Sequence, residues 1–248
     1  MLRLLKYELR KTLFSKLILL GITAIAEAVF LIGFWTKKEN TLAIGAVLLF
    51  FIAISGIALM GILSLVTLHR DMNTKQGYML YMTPKNSFQI LGAKMMENGL
   101  SLSLAGVFFF LLGLLDVTLL LSKLDQLEAL WKFFQEFVRS VNAEIELNTR
   151  GILFLVVEML ASWLATVSIA YLADIVSSAL LNGKKFNGLL AFLFFILLAT
   201  ALNWLQHLFV TRGMAVSSML LVQAVIALIY SAGMYVISAI VMDRYLSV

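Results

Sequence analysis

Residues 187–209 read NGLLAFLFFILLATALNWLQHLF, a stretch without a single Asp, Glu, Lys or Arg. A helix rises 1.5 Å per residue, so about 20 apolar residues cross a hydrocarbon core of roughly 30 Å. This stretch meets that length, and we take it as a membrane span. Lipid is therefore the solvent against which the rest of the sequence is interpreted.

The composition of the whole chain agrees with a membrane environment. Of its 248 residues, 62% are hydrophobic, 13% are charged and one is proline. Soluble domains are closer to 45–50% apolar and about 25% charged. Further long apolar stretches predict an all-α, polytopic membrane protein, with residues 1–248 forming a single transmembrane domain. The six predicted spans are about 17–35, 41–68, 95–121, 151–181, 187–209 and 215–242.

The N-terminal residues 1–16 have the pattern of an amphipathic helix, with a leucine-rich face and a cationic face. Leucines at steps of three and four lie opposite Arg3, Lys6, Arg10, Lys11 and Lys16. This pattern is typical of a helix in the headgroup region, before the chain turns into the first span. A signal peptide is disfavoured, because the apolar stretch that follows is too long and lacks a small-residue cleavage site.

The segment 122–149, between the third and fourth spans, carries a seven-residue apolar repeat. A helix start is indicated by Ser122 with Asp125 three residues later. We predict an amphipathic extracellular helix. It either caps the bundle or rests on the outer lipid surface, or it forms an outer gate or a dimer contact. The apolar positions are Leu124, Leu127, Trp131, Phe134, Val138, Val141 and Ile145.

The distribution of basic residues predicts the orientation of the spans. With six spans both termini share one side, and that side carries 12 of the 19 Lys and Arg residues. The excess predicts cytoplasmic termini and a cytoplasmic 69–94 loop. Basic residues lie at the ends of apolar runs and not in one solvated patch, so nucleic acid is not an expected partner.

Two carboxylates fall near the middle of predicted spans. An ionised carboxylate at that depth costs at least ~2.5 kcal/mol and often serves function. Glu27 follows Thr23 by one turn, and Glu158 precedes Ser162 and Thr166 at steps of four. Both spans thus carry a polar stripe that we expect to face the interior or a cavity. The carboxyls act either as proton carriers or as protonated, hydrogen-bonded structural groups.

Catalytic and metal-binding patterns are missing from the sequence. Cysteine is absent, and His69 and His207 are too few and too far apart for a histidine metal cluster. There is no G-x-x-x-x-G-K-[ST], H-E-x-x-H or G-x-S-x-G motif. The chain is therefore not expected to be an enzyme or to hold a cofactor. If ATP drives transport, ATP and Mg²⁺ bind a separate subunit.

The loop 69–94 has the features of a docking surface for such a subunit. It is polar at its start, aromatic and apolar at Tyr78-Met79-Leu80-Tyr81-Met82, and ends in a turn at Thr83-Pro84. An aromatic and apolar cluster beside a membrane favours a short helix that fits a partner's groove. The alternative is an interfacial helix with aromatic anchors.

The order Asp71, Gly77-Tyr78, Thr83-Pro84, Leu91, Lys94 within six spans resembles the small permease subunits of bacterial ATP-binding-cassette exporters of the second (ABC-2) type. The stem MLRLLKYELRK at residues 1–11 is similar to Gram-positive members, including exporters of amphipathic peptides. In that family the matching loop docks on the nucleotide-binding subunit, and the N-terminal helix also contacts it. The resemblance implies a coupling region formed by Asp71, Thr74, Lys75, Gln76, Gly77, Tyr78, Met79, Leu80, Tyr81 and Pro84.

The resemblance implies an ATP-driven exporter of an amphipathic or hydrophobic substrate, such as a peptide, lipid or drug. Its partners would be a separate ATPase subunit, a second permease and the bilayer of a bacterial cell membrane. One alternative is a proton-coupled transporter using Glu27 and Glu158, although the spans show neither an obvious repeat nor an internal proline. Another is a membrane subunit for signalling or immunity, which can share this topology.

Overall fold

A computed structural model describes residues 2–73, 86–123, 149–181, 186–210 and 214–245, together with residues 132, 135, 136 and 139. Regular structure within these ranges is entirely helical, and six helices are long and apolar enough to cross a membrane. The predicted all-α architecture with six spans is confirmed at this level. The helices are α1 (Leu2–Thr36), α2 (Glu39–Asn73), α3 (Ser87–Lys123), α4 (Thr149–Leu181), α5 (Asn187–Phe209) and α6 (Val216–Tyr245).

The N-terminal segment differs from the prediction. A short helix over residues 1–16, separated by a turn from the first span, is not observed, because α1 is continuous from Leu2 to Thr36. No glycine or proline occurs before Gly21, and the sequence around Lys16 is rich in good helix formers. The cationic residues therefore form the first turns of α1 and continue directly into its apolar part.

The first unit of the fold comprises residues 1–64 and 96–134. Its core contains Ala26 and Phe30 of α1 with Leu49 of α2, and leucines of α3 pack around them. The backbones of α1 and α2 approach closely, because a Cβ added at Gly45 would lie 2.5 Å from the Phe30 Cα. Only Lys37 and Lys38 separate the two helices, and Lys37 adopts a left-handed conformation with φ of 56°.

The second unit comprises residues 65–95 and 135–248. Its core is built from small side chains, Ala161 and Ala165 of α4 against Ala224 and Ala227 of α6. Alanine at a helix interface lets two backbones approach closely, which is a common way to pack helices within lipid. Helix α5 packs on this pair, and the Tyr230 hydroxyl of α6 donates to the Leu198 carbonyl at 3.0 Å.

Large apolar side chains are exposed along all six helices. Among them Trp35, Phe50, Phe110, Phe192 and Ile229 are each more than 60% exposed. In water such exposure would be unfavourable, whereas hydrocarbon is the natural neighbour of these side chains. The surface of the helices therefore matches a lipid environment.

Candidate functional site

A buried ion pair lies at the two ends of the 69–94 loop. Asp71 is in the last turn of α2 and Lys94 is in the second turn of α3, and the Lys94 Nζ lies 2.7 Å from the Asp71 Oδ2. Their side chains are 5% and 1% exposed. These are the first and last residues of the pattern that carried the family resemblance. The structure therefore joins two positions that the sequence separated by 23 residues.

The same end of the second unit holds a second polar pair, which links α2 to α4. His69 Nδ1 and Asp174 Oδ1 are 2.7 Å apart. The other carboxyl oxygen of Asp174 is buried and has no hydrogen-bond partner among the described residues. The α2 end of the loop is thus bonded to α3 through Asp71 and to α4 through His69.

The α3 end of the loop is bonded to α6. The Ser87 hydroxyl donates to the Asp243 carboxylate, and the Tyr235 hydroxyl donates to the Phe88 carbonyl. The rings of Phe88 and Tyr235 also pack edge to face, with centroids 5.9 Å apart. The nine predicted coupling residues from Thr74 to Pro84 lie outside the described residues, so Asp71 is the one coupling residue whose surroundings are known.

A third group of polar bonds connects α4 and α5 beside these pairs. The Ser177 hydroxyl donates to the Asn187 Oδ1 at 2.5 Å, and the Asn187 Nδ2 donates to the Ser178 Oγ at 2.9 Å. All three side chains are buried. They fix the start of α5 against the end of α4, so the ends of α2 to α6 within this unit are connected by polar contacts.

In the first unit, buried Glu97 of α3 receives three bonds. The hydroxyls of Thr12 and Ser101 donate to its Oε1 at 2.7 and 2.8 Å, and the Lys16 Nζ lies 2.8 Å from the same atom. Sequence reasoning missed this site, because Thr12 and Lys16 are more than 80 residues from Glu97. The signal that was available is a lone glutamate at the start of an apolar span.

Glu27 has a carboxyl neighbour that the sequence analysis did not single out. Its carboxyl group lies close to the carboxyl group of Asp116 on α3. Thr23, which was expected to accompany Glu27, instead donates to its own helix at the Leu19 carbonyl. Two neighbouring carboxyl groups resist ionising together, because their negative charges repel each other. This pair can therefore hold a proton between α1 and α3.

The stripe predicted on the fourth span is continuous and faces a cavity. Ser162 donates to the Glu158 Oε1 at 2.6 Å, and Thr166 donates to the Ser162 carbonyl at 2.8 Å. Ser162 and Thr166 line a cavity between α4 and α5. The structure thus places these two hydroxyl side chains along one cavity, whereas Glu158 and Glu27 belong to separate units and have different neighbours.

Within the described ranges, no group of three or more His, Asp or Glu side chains could hold a metal ion. The arrangement consists of ion pairs and hydrogen bonds that hold helix ends together, a carboxyl pair and a polar cavity. Comparison with family models, with curated proteins and with solved structures finds no match. Function must therefore be argued from the residues and from this geometry.

Proposed function

We propose that this chain is the permease half of an ATP-driven exporter in a bacterial cell membrane. It would pair with a second permease, identical or related, and with a separate ATPase subunit that docks on the 69–94 loop. The basic residues favour cytoplasmic termini, which would put this loop on the side where ATP is available. An amphipathic cargo, such as a peptide, lipid or drug, agrees with the apolar character of the chain.

The observation that carries this proposal is the way both ends of the loop are fixed to other helices. Asp71 and Lys94 form a buried ion pair, and His69 is bonded to Asp174. A loop that only connected two spans could be joined to them without a buried ion pair, because removing two charges from water is costly. A loop that receives mechanical load from a partner needs fixed ends, because a loose end would absorb the movement.

The proposal is tested by copurification. The tagged chain is expressed in its host, purified in mild detergent and assayed for an associated ATPase. A variant with Tyr78, Leu80 and Tyr81 changed to alanine should lose the ATPase and keep its elution volume. A matched control changes Trp131, Phe134 and Val138 to alanine. These residues lie in the segment 122–149, which is predicted to be extracellular, so this variant should keep the ATPase.

Two results contradict the proposal. In one, the chain purifies without any nucleotide-binding protein under conditions that keep it monodisperse. In the other, the ATPase remains bound when the aromatic residues of the loop are removed. The second result would leave an ATPase partner but reject the loop as its docking site.

The Glu27–Asp116 pair favours a second candidate, a proton-coupled transporter. A carboxyl pair within membrane-spanning helices is a common form of proton site. Reconstituted vesicles with an entrapped pH-sensitive dye would report proton flux in the absence of ATP. Flux that Glu27→Gln and Asp116→Asn each abolish would support this candidate, and absence of flux would reject it.

A further inference from the structure

The first turns of α1 have one buried side and one exposed side. Glu8 and Thr12 are each 1% exposed, whereas Arg3, Lys6 and Arg10 are exposed. At about 100° per residue, these three cations lie within an arc of about 60° around the helix. We call them the exposed basic face. Among the described residues, none of the three cations has an ion pair or a hydrogen-bond partner.

No acidic residue of this part of α1 offsets the charge of the exposed basic face. Glu8 is the one acidic residue before Glu27, and it is buried on the other side of the helix. The next cation along the chain is different, because the Lys16 Nζ lies 2.8 Å from a Glu97 carboxylate oxygen. The exposed basic face therefore keeps its positive charge available to a partner outside the described residues.

The same side of α1 becomes apolar one turn after Arg10. Leu13, Phe14 and Leu17 are 50%, 72% and 56% exposed. Phe14 and Leu17 follow Arg10 at steps of four and seven, so they continue the line of the cations along the helix. A change from cations to exposed apolar side chains within one turn is expected where headgroups give way to acyl chains.

The aromatic residues of α1 indicate where the headgroup layers lie. Tyr7 and Trp35 are 59% and 74% exposed, and tyrosine and tryptophan favour the two membrane interfaces. At 1.5 Å per residue they are about 42 Å apart, which matches a bilayer of about 40–45 Å with its headgroups. From Leu13 to Trp35 the helix is about 33 Å long, close to the hydrocarbon core of roughly 30 Å. The exposed basic face then lies in one headgroup layer.

The charge of this face selects among lipid headgroups. An arginine can donate two parallel hydrogen bonds to a phosphate, and a lysine pairs with it as a point charge. In a zwitterionic lipid the ammonium group of the headgroup offsets the phosphate, whereas an anionic lipid keeps its net negative charge. A cluster of cations beside a membrane therefore favours anionic lipids. An acidic protein would match the charge but not Phe14 and Leu17, whose neighbours beyond the headgroups are acyl chains.

We propose that the exposed basic face binds a phospholipid with a net negative headgroup. The lipid phosphate lies between Lys6 and Arg10, which are one turn apart, and an acyl chain runs along Phe14 and Leu17. Arg3 pairs with the part of the headgroup nearest to water. This inference does not depend on the proposed exporter function, since it concerns how α1 is held in the membrane.

The test is lipid binding to the purified full chain in detergent, measured by native mass spectrometry. The probes are phosphatidylglycerol and phosphatidylcholine with identical acyl chains. Arg10→Gln removes one charge of the exposed basic face, and a triple variant changes Arg3, Lys6 and Arg10 to glutamine. Lys38→Gln is the matched control, because Lys38 is an exposed cation beside an exposed acidic residue, Glu39.

Wild type should bind phosphatidylglycerol at least about 10-fold more tightly than phosphatidylcholine. One cation near an anionic surface corresponds to about 5-fold in affinity, so Arg10→Gln should weaken phosphatidylglycerol by about that factor and leave phosphatidylcholine unchanged. The triple variant should bind both lipids equally, and Lys38→Gln should bind as wild type does. Higher salt should reduce the preference of wild type, because the cations are exposed. Unchanged elution volume and unfolding midpoint would show that the variants are folded.

The inference is overturned if wild type does not distinguish the two lipids or if the triple variant keeps the preference. It is also overturned if glycerol 3-phosphate displaces the lipid at equal concentration, because the face would then bind a soluble anion. A triple variant that keeps the lipid preference but loses the ATPase on copurification would assign the face to a protein partner instead. The lipid assay contains no ATPase, so its failure leaves the exporter proposal standing.

Discussion

Breaking the Asp71–Lys94 pair should destabilise the protein more than almost any other single substitution at a polar residue. The charged atoms are 2.7 Å apart, and the side chains are at most 5% exposed. With an effective dielectric constant of 20, two unit charges at this distance attract by about 6 kcal/mol. Removing both charges from water cancels much of this attraction, so the pair itself contributes far less.

The asymmetry between single and double variants follows from that balance. Lys94→Met leaves the Asp71 carboxylate buried without its cation, and we expect a loss of about 3–5 kcal/mol in the free energy of unfolding. Asp71→Asn leaves the ammonium group in the same position and should cost a similar amount. The double variant removes both charges and should recover most of the loss.

Unfolding in mixed micelles by increasing sodium dodecyl sulfate, followed by tryptophan fluorescence, measures these differences. Lys38→Met is the matched control, since Lys38 is exposed between α1 and α2 and should change the stability little. The reasoning is refuted if Lys94→Met lies within about 1 kcal/mol of wild type. It is equally refuted if the double variant is as unstable as the sum of the two single variants, because uncoupled losses would mean that the residues do not stabilise each other.

Three further substitutions test the packing and the backbone geometry of the first unit, two of them beside a control substitution. All are measured by the same unfolding titration. Gly45→Ala should cost about 1–3 kcal/mol, because its Cβ would lie 2.5 Å from the backbone of the neighbouring helix, whereas Gly106→Ala meets open space and should be neutral or stabilising. Equal effects of the two alanines would contradict the close approach. Glu97→Gln removes the charge that receives three bonds and should cost about 1–3 kcal/mol, and an unchanged midpoint would contradict its central role. Lys37→Gly should stabilise by up to about 1 kcal/mol, because glycine adopts φ of 56° without steric cost; Lys38→Gly should give no such gain, and identical shifts would reject the explanation.

The six spans could be predicted because lipid imposes one strong condition on a sequence, namely long apolar runs with charges at their ends. The prediction that the chain turns near Lys16, between a headgroup helix and the first span, was wrong. Amphipathicity indicates a helix and its two faces, but it does not say where a helix bends. In the structure, Thr12 and Lys16 bond Glu97, so this part of α1 packs against α3 instead of lying apart from it.

The partners of the polar residues could not be predicted from the sequence. Glu27 lies close to Asp116, and His69 bonds Asp174, across 89 and 105 positions of the chain. Which faces of two helices meet depends on their rotation and register, and a single sequence contains no direct signal for either. Polar residues four apart on one helix were predictable as a stripe, as Glu158 and Ser162 show, because the helical period alone brings them together.

The second unit connects the base of the loop to the cavity through a single rigid element. Asp174, which bonds His69, and Thr166, which lines the cavity, are eight residues apart on α4, or about 12 Å along the helix. Between them the chain is helical throughout, without glycine or proline, so one continuous helix joins the two positions. The other wall of the cavity is α5, whose first residue is held by Ser177 and Ser178 at the same end of α4. A force that reaches α4 through the loop would therefore act near the C-terminal end of this helix, and the cavity lies near its middle. If a subunit docks on the 69–94 loop, as proposed above, α4 is the element that joins its docking site to this cavity.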